Sequence, residues 1–244
     1  MTIIIPMAGL SKRFTDSGFT LPKYMLYARE KSLFNLAVSS FEAYFKTEKF
    51  IFIARDVFCT KEFIKKECEI LGISFFDIII LNEPTRGQAE TVYLGLIASN
   101  LPDDEPILIF NIDTFRPNFS FPVELLNWDG YLEVFEGEGA NWSYAKTEHK
   151  DSTKVIQTAE KEEISKYCST GIYYFKKKEA FVAAFDAANV DISKIKLKEL
   201  YVAPLYNYLI SKEFNVHIEV IRRDEVIFCG VPEEYFNYLD KKLS

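Results

Sequence analysis

The sequence predicts an α/β fold: a Rossmann-like, mostly parallel central sheet flanked by helices, with a mixed-sheet extension contributed by the second half. Three observations carry this. Short, wholly apolar runs alternate with helical patterns through residues 1–127, and strands that are apolar on both faces belong in a sheet covered on both sides. From residue 128 the pattern changes to closely spaced strands followed by helices. No Pro-, Gly- or Ser-rich linker separates the two stretches, so 1–244 reads as one domain with a 1–127 half and a 128–244 half.

The elements follow in order. Ile3–Ile5 is the first strand, and Ser32 is placed to cap a helix over Leu33–Phe45. Phe50–Ala54 is the second strand. Thr60 is expected to cap a helix that runs to Leu71 and stops at Gly72. Phe75–Leu81 is a strand, Gly87–Ala98 a helix closed by Asn100, Leu101 and Pro102, and Ile107–Phe110 a fourth apolar strand. Tyr131–Glu136, Trp142–Lys146, Lys154–Thr158 and Ile172–Phe175 read as further strands. Helices are expected over Lys178–Ala188 and Tyr201–Ser211, then short strands at Val216–Val220 and Val226–Phe228, and a last helix opened by Pro232.

Composition narrows the function classes. The net charge is −7 and no basic block occurs, so no nucleic-acid partner is expected. The four cysteines, Cys59, Cys68, Cys168 and Cys229, are scattered without a CxxC spacing, and with two histidines the usual zinc patterns are missing. No leader-like segment precedes the first strand and no apolar run reaches membrane-spanning length, which points to the cytoplasm.

Chemistry-bearing residues gather at predicted strand ends. The run Met7-Ala8-Gly9-Leu10-Ser11-Lys12-Arg13 follows the first strand, where successive backbone N–H groups can converge on a phosphate. Arg13 adds a rigid fork of donors, and Lys23, held beside Pro22, a mobile charge. The plain alternative is a tight turn with solvated charges. Asp113 directly follows the Ile107–Phe110 strand, at the sheet end where open α/β sheets bind ligands, and is placed either to hold Mg²⁺ or to turn the chain. Asn82 can read a base edge or close a turn. Gly87 and Gln88 open a helix where backbone can approach a base or ribose. Glu160-Lys161 ends another strand; Lys161 can neutralise an acceptor phosphate, although a charge-rich run is also what a solvated face looks like. Thr170 and Gly171 offer a hydroxyl and a close backbone just before a strand.

Together these stretches resemble the sugar-1-phosphate nucleotidylyltransferase family, whose opening is a strand, a GxGxR-like loop and a Pro-Lys pair. The matching residues are Gly9-Leu10-Ser11-Lys12-Arg13, with Ser11 at the second glycine, and Leu21-Pro22-Lys23. The resemblance further matches Asn82 through Gly87 to the base-contact segment, Asp113 to the metal aspartate, Glu160-Lys161 to the family's Glu-Lys pair and Ser169 through Tyr173 to its small-Gly-Ile-Tyr motif. It implies transfer of a nucleoside monophosphate from an NTP to a phosphorylated small-molecule acceptor, with pyrophosphate released and Mg²⁺ as cofactor. On this resemblance Arg13, Lys23 and Asp113 are catalytic, Met7–Lys12, Asn82, Gly87 and Gln88 bind nucleotide, and Glu160, Lys161, Thr170 and Gly171 bind the acceptor. The chain is compact, like members of bacterial capsule pathways, so CTP is the first expected donor, and a homo-oligomer is compatible with the family. One departure stands out. Relatives end in Asp-x-Gly-Thr-Pro, whose Asp is a second metal ligand; this chain has Phe228-Cys229-Gly230-Val231-Pro232. Phe228 cannot bind metal, Asp224 is the nearby carboxylate that could, and an apolar Phe228 suits an acceptor with fewer hydroxyls than a hexose.

Other classes explain fewer of these residues. A glycosyltransferase of related fold needs an Asp-x-Asp pair, where this chain has Asn111-Ile112-Asp113. A nicotinamide dehydrogenase needs a glycine-richer loop. A non-catalytic nucleotide-sugar-binding protein would keep the sheet while losing the charge constellation, and Phe228 is the residue that fits it.

Overall fold

The computed structural model describes residues 1–192 and 199–240. In chain order its elements are β1 (Thr2–Pro6), α1 (Lys12–Asp16), β2 (Tyr27–Ala28), β3 (Lys31–Ser32), α2 (Leu33–Val38), β4 (Lys49–Arg55), α3 (Thr60–Leu71), β5 (Phe75–Leu81), α4 (Gln88–Ala98), β6 (Ile107–Phe110) and β7 (Thr114–Phe115). They continue as β8 (Gly130–Glu136), β9 (Ser143–Thr147), β10 (Val155–Glu160), β11 (Tyr167–Phe175), α5 (Lys178–Ile192), α6 (Tyr206–Ser211), β12 (Val216–Ile221), β13 (Ile227–Phe228) and α7 (Pro232–Asp240). The main sheet runs β10-β9-β11-β6-β1-β4-β5, with β8 on β11 and β12 on β8.

Strands β6, β1, β4 and β5 are parallel, as their unbroken apolar sequences predict. β11 enters antiparallel to β6 and carries the sheet into the second half, where β8 pairs with it and β12 lies parallel to β8. The predicted mixed-sheet extension is therefore continuous with the parallel part. Both faces are buried. Ile3 and Ile5 of β1, Phe50 and Phe52 of β4 and Phe110 of β6 pack under α2, α3 and α7, and Phe34 and Phe41 meet the rings of Phe52 and Phe110. The alternate residues Ile4, Ile51, Ile53 and Ile109 face α4, α5 and α6. Among the described residues no helix is long and apolar enough to cross a membrane.

Several predicted helix starts and lengths differ: α5 runs on to Ile192, and α6 begins at Tyr206 and not at Tyr201, after a 3₁₀ turn over Ala203–Leu205. The helix from Leu33 is α-helical only to Val38 and then tightens into a 3₁₀ segment, Ser39–Tyr44, with Phe41 at φ −107°. The tightening sends Phe41 into the core and lets the Ser40 hydroxyl accept the Arg116 N–H at 2.9 Å, a tertiary bond that local pattern cannot reveal. Ser32 does cap α2, accepting from the Asn35 N–H at 3.0 Å. Thr60 does not cap α3; Cys59 holds that position in the left-handed region, and the Thr60 hydroxyl donates back to the Val57 carbonyl.

The two halves are tied by a buried ion pair. Arg116, just past β7, and Glu133 on β8 are 6% and 2% exposed, and the guanidinium Nε donates to the two carboxylate oxygens at 3.0 and 3.1 Å. Burial pushes the Glu133 carboxyl up and Arg116 opposes that shift. Thr170 on β11 donates a further bond to Glu133 at 3.0 Å, and Arg116 also reaches the Pro117 carbonyl. Removing one member of such a pair strands the other charge away from water. Glu133→Ala is therefore expected to cost about 3–5 kcal/mol in urea denaturation. A cost below about 1 kcal/mol, the range of an exposed pair, would contradict this account of the junction.

Candidate active site

Four loops converge at the C-terminal ends of the parallel strands: Met7–Ser11 after β1, Asp56–Phe58 after β4, Asn82–Gly87 after β5 and Asn111–Asp113 after β6. This is the edge where α/β sheets leave room for ligands. Met7 and Ala8 are almost wholly buried, and the Met7 N–H donates to Ile53 O at 2.7 Å, so these two residues can present backbone only. Gly9, Leu10, Lys12 and Arg13 are exposed. Ser11 takes φ +51°, turns the chain into α1, and accepts the Lys23 N–H on its hydroxyl at 3.3 Å. The loop lines a cavity of about 170 Å³ that it shares with Pro22, Arg55 and Phe58.

Lys23 and Asp113 meet across this edge. Pro22, at φ −55°, sets up a 3₁₀ turn whose first residue is Lys23. The Lys23 Nζ lies 2.5 Å from Asp113 Oδ2, and both side chains are about one-fifth exposed. Asp113 is held from behind, its carbonyl accepting the Cys229 N–H at 2.8 Å as β13 pairs with β7. Gly230 lies against its carboxylate: a Cβ there would stand 3.0 Å from Asp113 Oδ2 and 3.7 Å from Glu234 Oε2. Glu234 in turn accepts the N–H groups of Gly230 and Val231 at 2.8 and 3.2 Å. Sequence reading passed over Glu234 because Pro232-Glu233-Glu234 has the ordinary look of an acidic first helical turn. Cys229 lies in this cluster, but burial, with Asp113 and Glu234 adding, pushes its thiol up to about 12, so it is no thiolate nucleophile at neutral pH.

A second group of contacts joins α4 to β11. Gln88 donates its amide to Asn111 Oδ1, and Asn111 rests on Gly171, whose φ is +95° and whose missing Cβ would fall 2.5 Å from Asn111 Nδ2. Gly87 has a comparable role: at φ +144°, a Cβ would lie 2.4 Å from the Leu200 carbonyl oxygen. Asn82 is exposed. Asn111, which the sequence offered only as a missing carboxylate, is thus the amide that bridges the Gln88 and Gly171 segments.

On the far side of the cleft, Glu160 bonds the Ser143 hydroxyl and burial raises its carboxyl, against Ser143 and Lys161. Lys161 Nζ donates to the Tyr201 hydroxyl at 2.5 Å. Two expected residues are used otherwise. Thr170 is 1% exposed and its hydroxyl is committed to Glu133, so it belongs to the buried junction and not to an open acceptor surface. Asp224 sits on an exposed 3₁₀ turn, three-quarters exposed and bonded to Arg222 at 3.0 Å, and no described contact links it to Asp113. Phe228 joins a ring cluster instead, 4.7 Å from Trp142 and 5.6 Å from Phe135, with the Arg223 guanidinium 4.9 Å above its own ring. A larger cavity, about 340 Å³, opens at the opposite end of the sheet against Asp129, Lys176 and Phe214, and shares no residue with these groups.

No family model and no curated protein matches the chain. Solved structures do. The nucleoside-diphosphate-sugar pyrophosphorylase from Vibrio cholerae RC9 is 51% identical, with a TM-score of 0.94 over 98% of this chain and 100% of that one. The inositol-1-phosphate CTP transferase from T. maritima shares the fold at 12% identity, with a TM-score of 0.72 over 100% of this chain and 97% of that one. The UDP-glucose pyrophosphorylase from Acinetobacter baumannii does so at 13% identity, with a TM-score of 0.71 over 98% and 91%. The fold is that of an α/β nucleotidyltransferase. At half-identity over its whole length with the Vibrio protein, the chain belongs to the nucleoside-diphosphate-sugar pyrophosphorylase family.

The Gly171 contact is open to test. Gly171→Ala puts a methyl group into Asn111 and asks a left-handed backbone of a residue with a side chain, an expected cost of about 1–3 kcal/mol. A crystal structure of the variant should show Asn111 displaced and its bond to Gln88 broken. An unmoved Asn111 would remove it from the role of bridge.

Proposed function

We propose that this protein transfers a nucleoside monophosphate from an NTP to a phosphorylated small molecule, a sugar 1-phosphate or another surface-polysaccharide precursor, and releases pyrophosphate. CTP is the first donor to test. The 1–127 half would take the nucleotide and the 128–244 half the acceptor. The observation that carries this reading is the Lys23–Asp113 pair, 2.5 Å apart at the strand ends and beside the β1 loop, on a chain of this family.

In this reading an acceptor phosphate oxygen attacks the α-phosphorus, a new P–O bond forms, and the bond from the α-phosphorus to the pyrophosphate oxygen breaks. The nucleophile is already an anion, so no general base is required, and alignment and charge stabilisation lower the barrier. Arg13 and the backbone N–H groups of Gly9–Ser11 bind the leaving phosphates. Lys23 lies across the α-phosphate and the incoming oxygen. Asn82, Gly87 and Gln88 face the base and ribose, and Lys161, with Glu160 beside it, meets the acceptor. Carboxylate oxygen at a partly open strand end is the donor type Mg²⁺ prefers, so Asp113 fits as its holder, with phosphates and water filling the remaining positions. Bound there, Mg²⁺ would neutralise charge on the phosphates. An aromatic pair, Phe228 opposite Thr114 and Trp142 whose carbonyl holds the Lys161 N–H, supports an acceptor with fewer hydroxyls than a hexose.

The test is pyrophosphate release with Mg²⁺, the common NTPs and dTTP, each paired with sugar 1-phosphates and phosphorylated alcohols. Release with at least one pair is expected. None above a no-enzyme control, from protein shown folded by circular dichroism, would overturn the proposal. Lys23→Ala and Asp113→Ala should each lower turnover roughly 10²–10³-fold, as loss of one transition-state contact does. Their melting temperatures should stay near that of the unmodified protein, since neither side chain is in the core. An Asp113→Ala protein with full turnover would remove that residue from the mechanism.

A further inference from the structure

The transfer chemistry gives no task to Tyr201, yet Tyr201 stands where the two substrate subsites proposed above approach each other. Its carrier segment is clamped. The Leu200 N–H donates to the Arg86 carbonyl at 2.8 Å, and the Leu200 carbonyl accepts the Ala89 N–H at 3.0 Å. Only the absence of a side chain at Gly87 allows this backbone crossing. Arg86 is itself fixed, to Glu90 on α4 and to Asn189 on α5 at 3.0 Å. Downstream, Val202 and Ala203 are fully buried, and the Ala203 carbonyl accepts the Thr158 hydroxyl at 2.7 Å. Thr158 belongs to β10, the strand that ends in Glu160-Lys161. The segment is thus pinned to the nucleotide-facing turn at one end and to the acceptor strand at the other.

Between these pins the Tyr201 hydroxyl accepts a bond from Lys161 Nζ at 2.5 Å and donates its own proton to Glu199. The ammonium, 4.7 Å from the Tyr201 ring centroid, approaches from the hydroxyl edge of the ring. Burial and the Glu199 carboxylate push the Tyr201 hydroxyl well above its ordinary value, so it stays protonated and keeps a lone pair for the lysine; the Arg13 charge reaches the same hydroxyl. Lys161 is otherwise an exposed, flexible side chain. Its backbone sits at φ +58°, unusual for a residue with a Cβ, and is held there by its N–H bond to the Trp142 carbonyl at 2.9 Å. A strained backbone and an ammonium bonded to a clamped hydroxyl are more than a solvated lysine needs.

We propose that Tyr201 is a positioning residue: anchored through Leu200 to the Arg86–Ala89 turn, it fixes the Lys161 ammonium at the acceptor side of the cleft. This rests on the assignment of Lys161 to the acceptor phosphate. Holding the ammonium in advance removes part of the side-chain entropy that a free lysine loses on binding a phosphate.

Tyr201→Phe keeps the ring and deletes only the hydroxyl. With the NTP and acceptor pair found by the pyrophosphate screen, the acceptor KM should rise about fivefold, the loss expected for one hydrogen bond to a charged group partly offset by the retained ring. The NTP KM and kcat should change by less than about twofold, which separates binding of one substrate from damage to the site. An independent readout needs no turnover: limited acetylation with acetic anhydride, mapped by mass spectrometry. Lys161 should react about fivefold faster in Tyr201→Phe than in the unmodified protein, because no hydroxyl then holds its amine in place and away from the reagent. Lys66, exposed on α3, should react equally in both. Equal labelling of Lys161 in the two proteins would overturn the proposal, as would an unchanged acceptor KM. Should no substrate pair turn over in the unmodified protein, the transfer reading fails and the labelling alone decides whether Tyr201 holds Lys161.

Discussion

The Arg116–Glu133 pair is the constraint on which the rest of the arrangement depends. It lies three residues beyond Asp113 and joins that loop to β8, to Thr170 of β11 and, through the backbone N–H of Arg116, to Ser40 of the 3₁₀ segment. Two charges buried this deeply cost more in desolvation than an exposed pair does, and they persist only where geometry satisfies them. The Glu133 carboxylate has that satisfaction, with two contacts from the guanidinium and one from a hydroxyl. What the pair supplies is position: the Asp113 loop, at the end of the parallel sheet, is fixed relative to the mixed extension that carries Lys161.

Fixed halves matter for phosphate chemistry. The attacking and leaving oxygens must lie roughly in line, and an error of about 1 Å is costly. A fold that ties its two halves at Arg116–Glu133, at Gln88–Asn111–Gly171 and at Leu200 over Gly87 has three separate restraints on the same distance. They differ in chemistry, being respectively an ion pair, an amide bridge and a backbone crossing, so no single change of pH or salt loosens all three.

Much of the architecture was legible in the sequence because it depends on local pattern. Unbroken apolar runs such as Ile107–Phe110 named the parallel strands, and closely spaced strands after residue 128 named the mixed extension. Lys23 and Asp113 were legible as residues following a Pro and a strand, and the structure brings them together. What could not be read was set by partners far away in the chain. Ser40 tightens a helix because Arg116 needs an acceptor. Thr170 turns inward because Glu133 is there. Glu234 and Tyr201 carried no signal beyond an acidic helix start and one more aromatic in a chain with 14 tyrosines. Asp224 was suggested by nearness in sequence alone, and Arg222 two residues away claims it.

The position of β1 within the sheet has a consequence for how the chain acquires its structure. β1 precedes every other strand, yet it is central, lying between β4 and β6. Its Ile3-Ile4-Ile5 run gains one neighbour when Lys49–Arg55 arrives and the other only with Ile107–Phe110. β6 in turn waits for β11, whose pairing begins at Ile172. Each closure spans a long loop, which slows assembly and leaves a sticky strand open meanwhile. β1 therefore emerges before both of its partners and is completed only after more than a hundred further residues have been made, so three isoleucines stay open to wrong contacts in the interval.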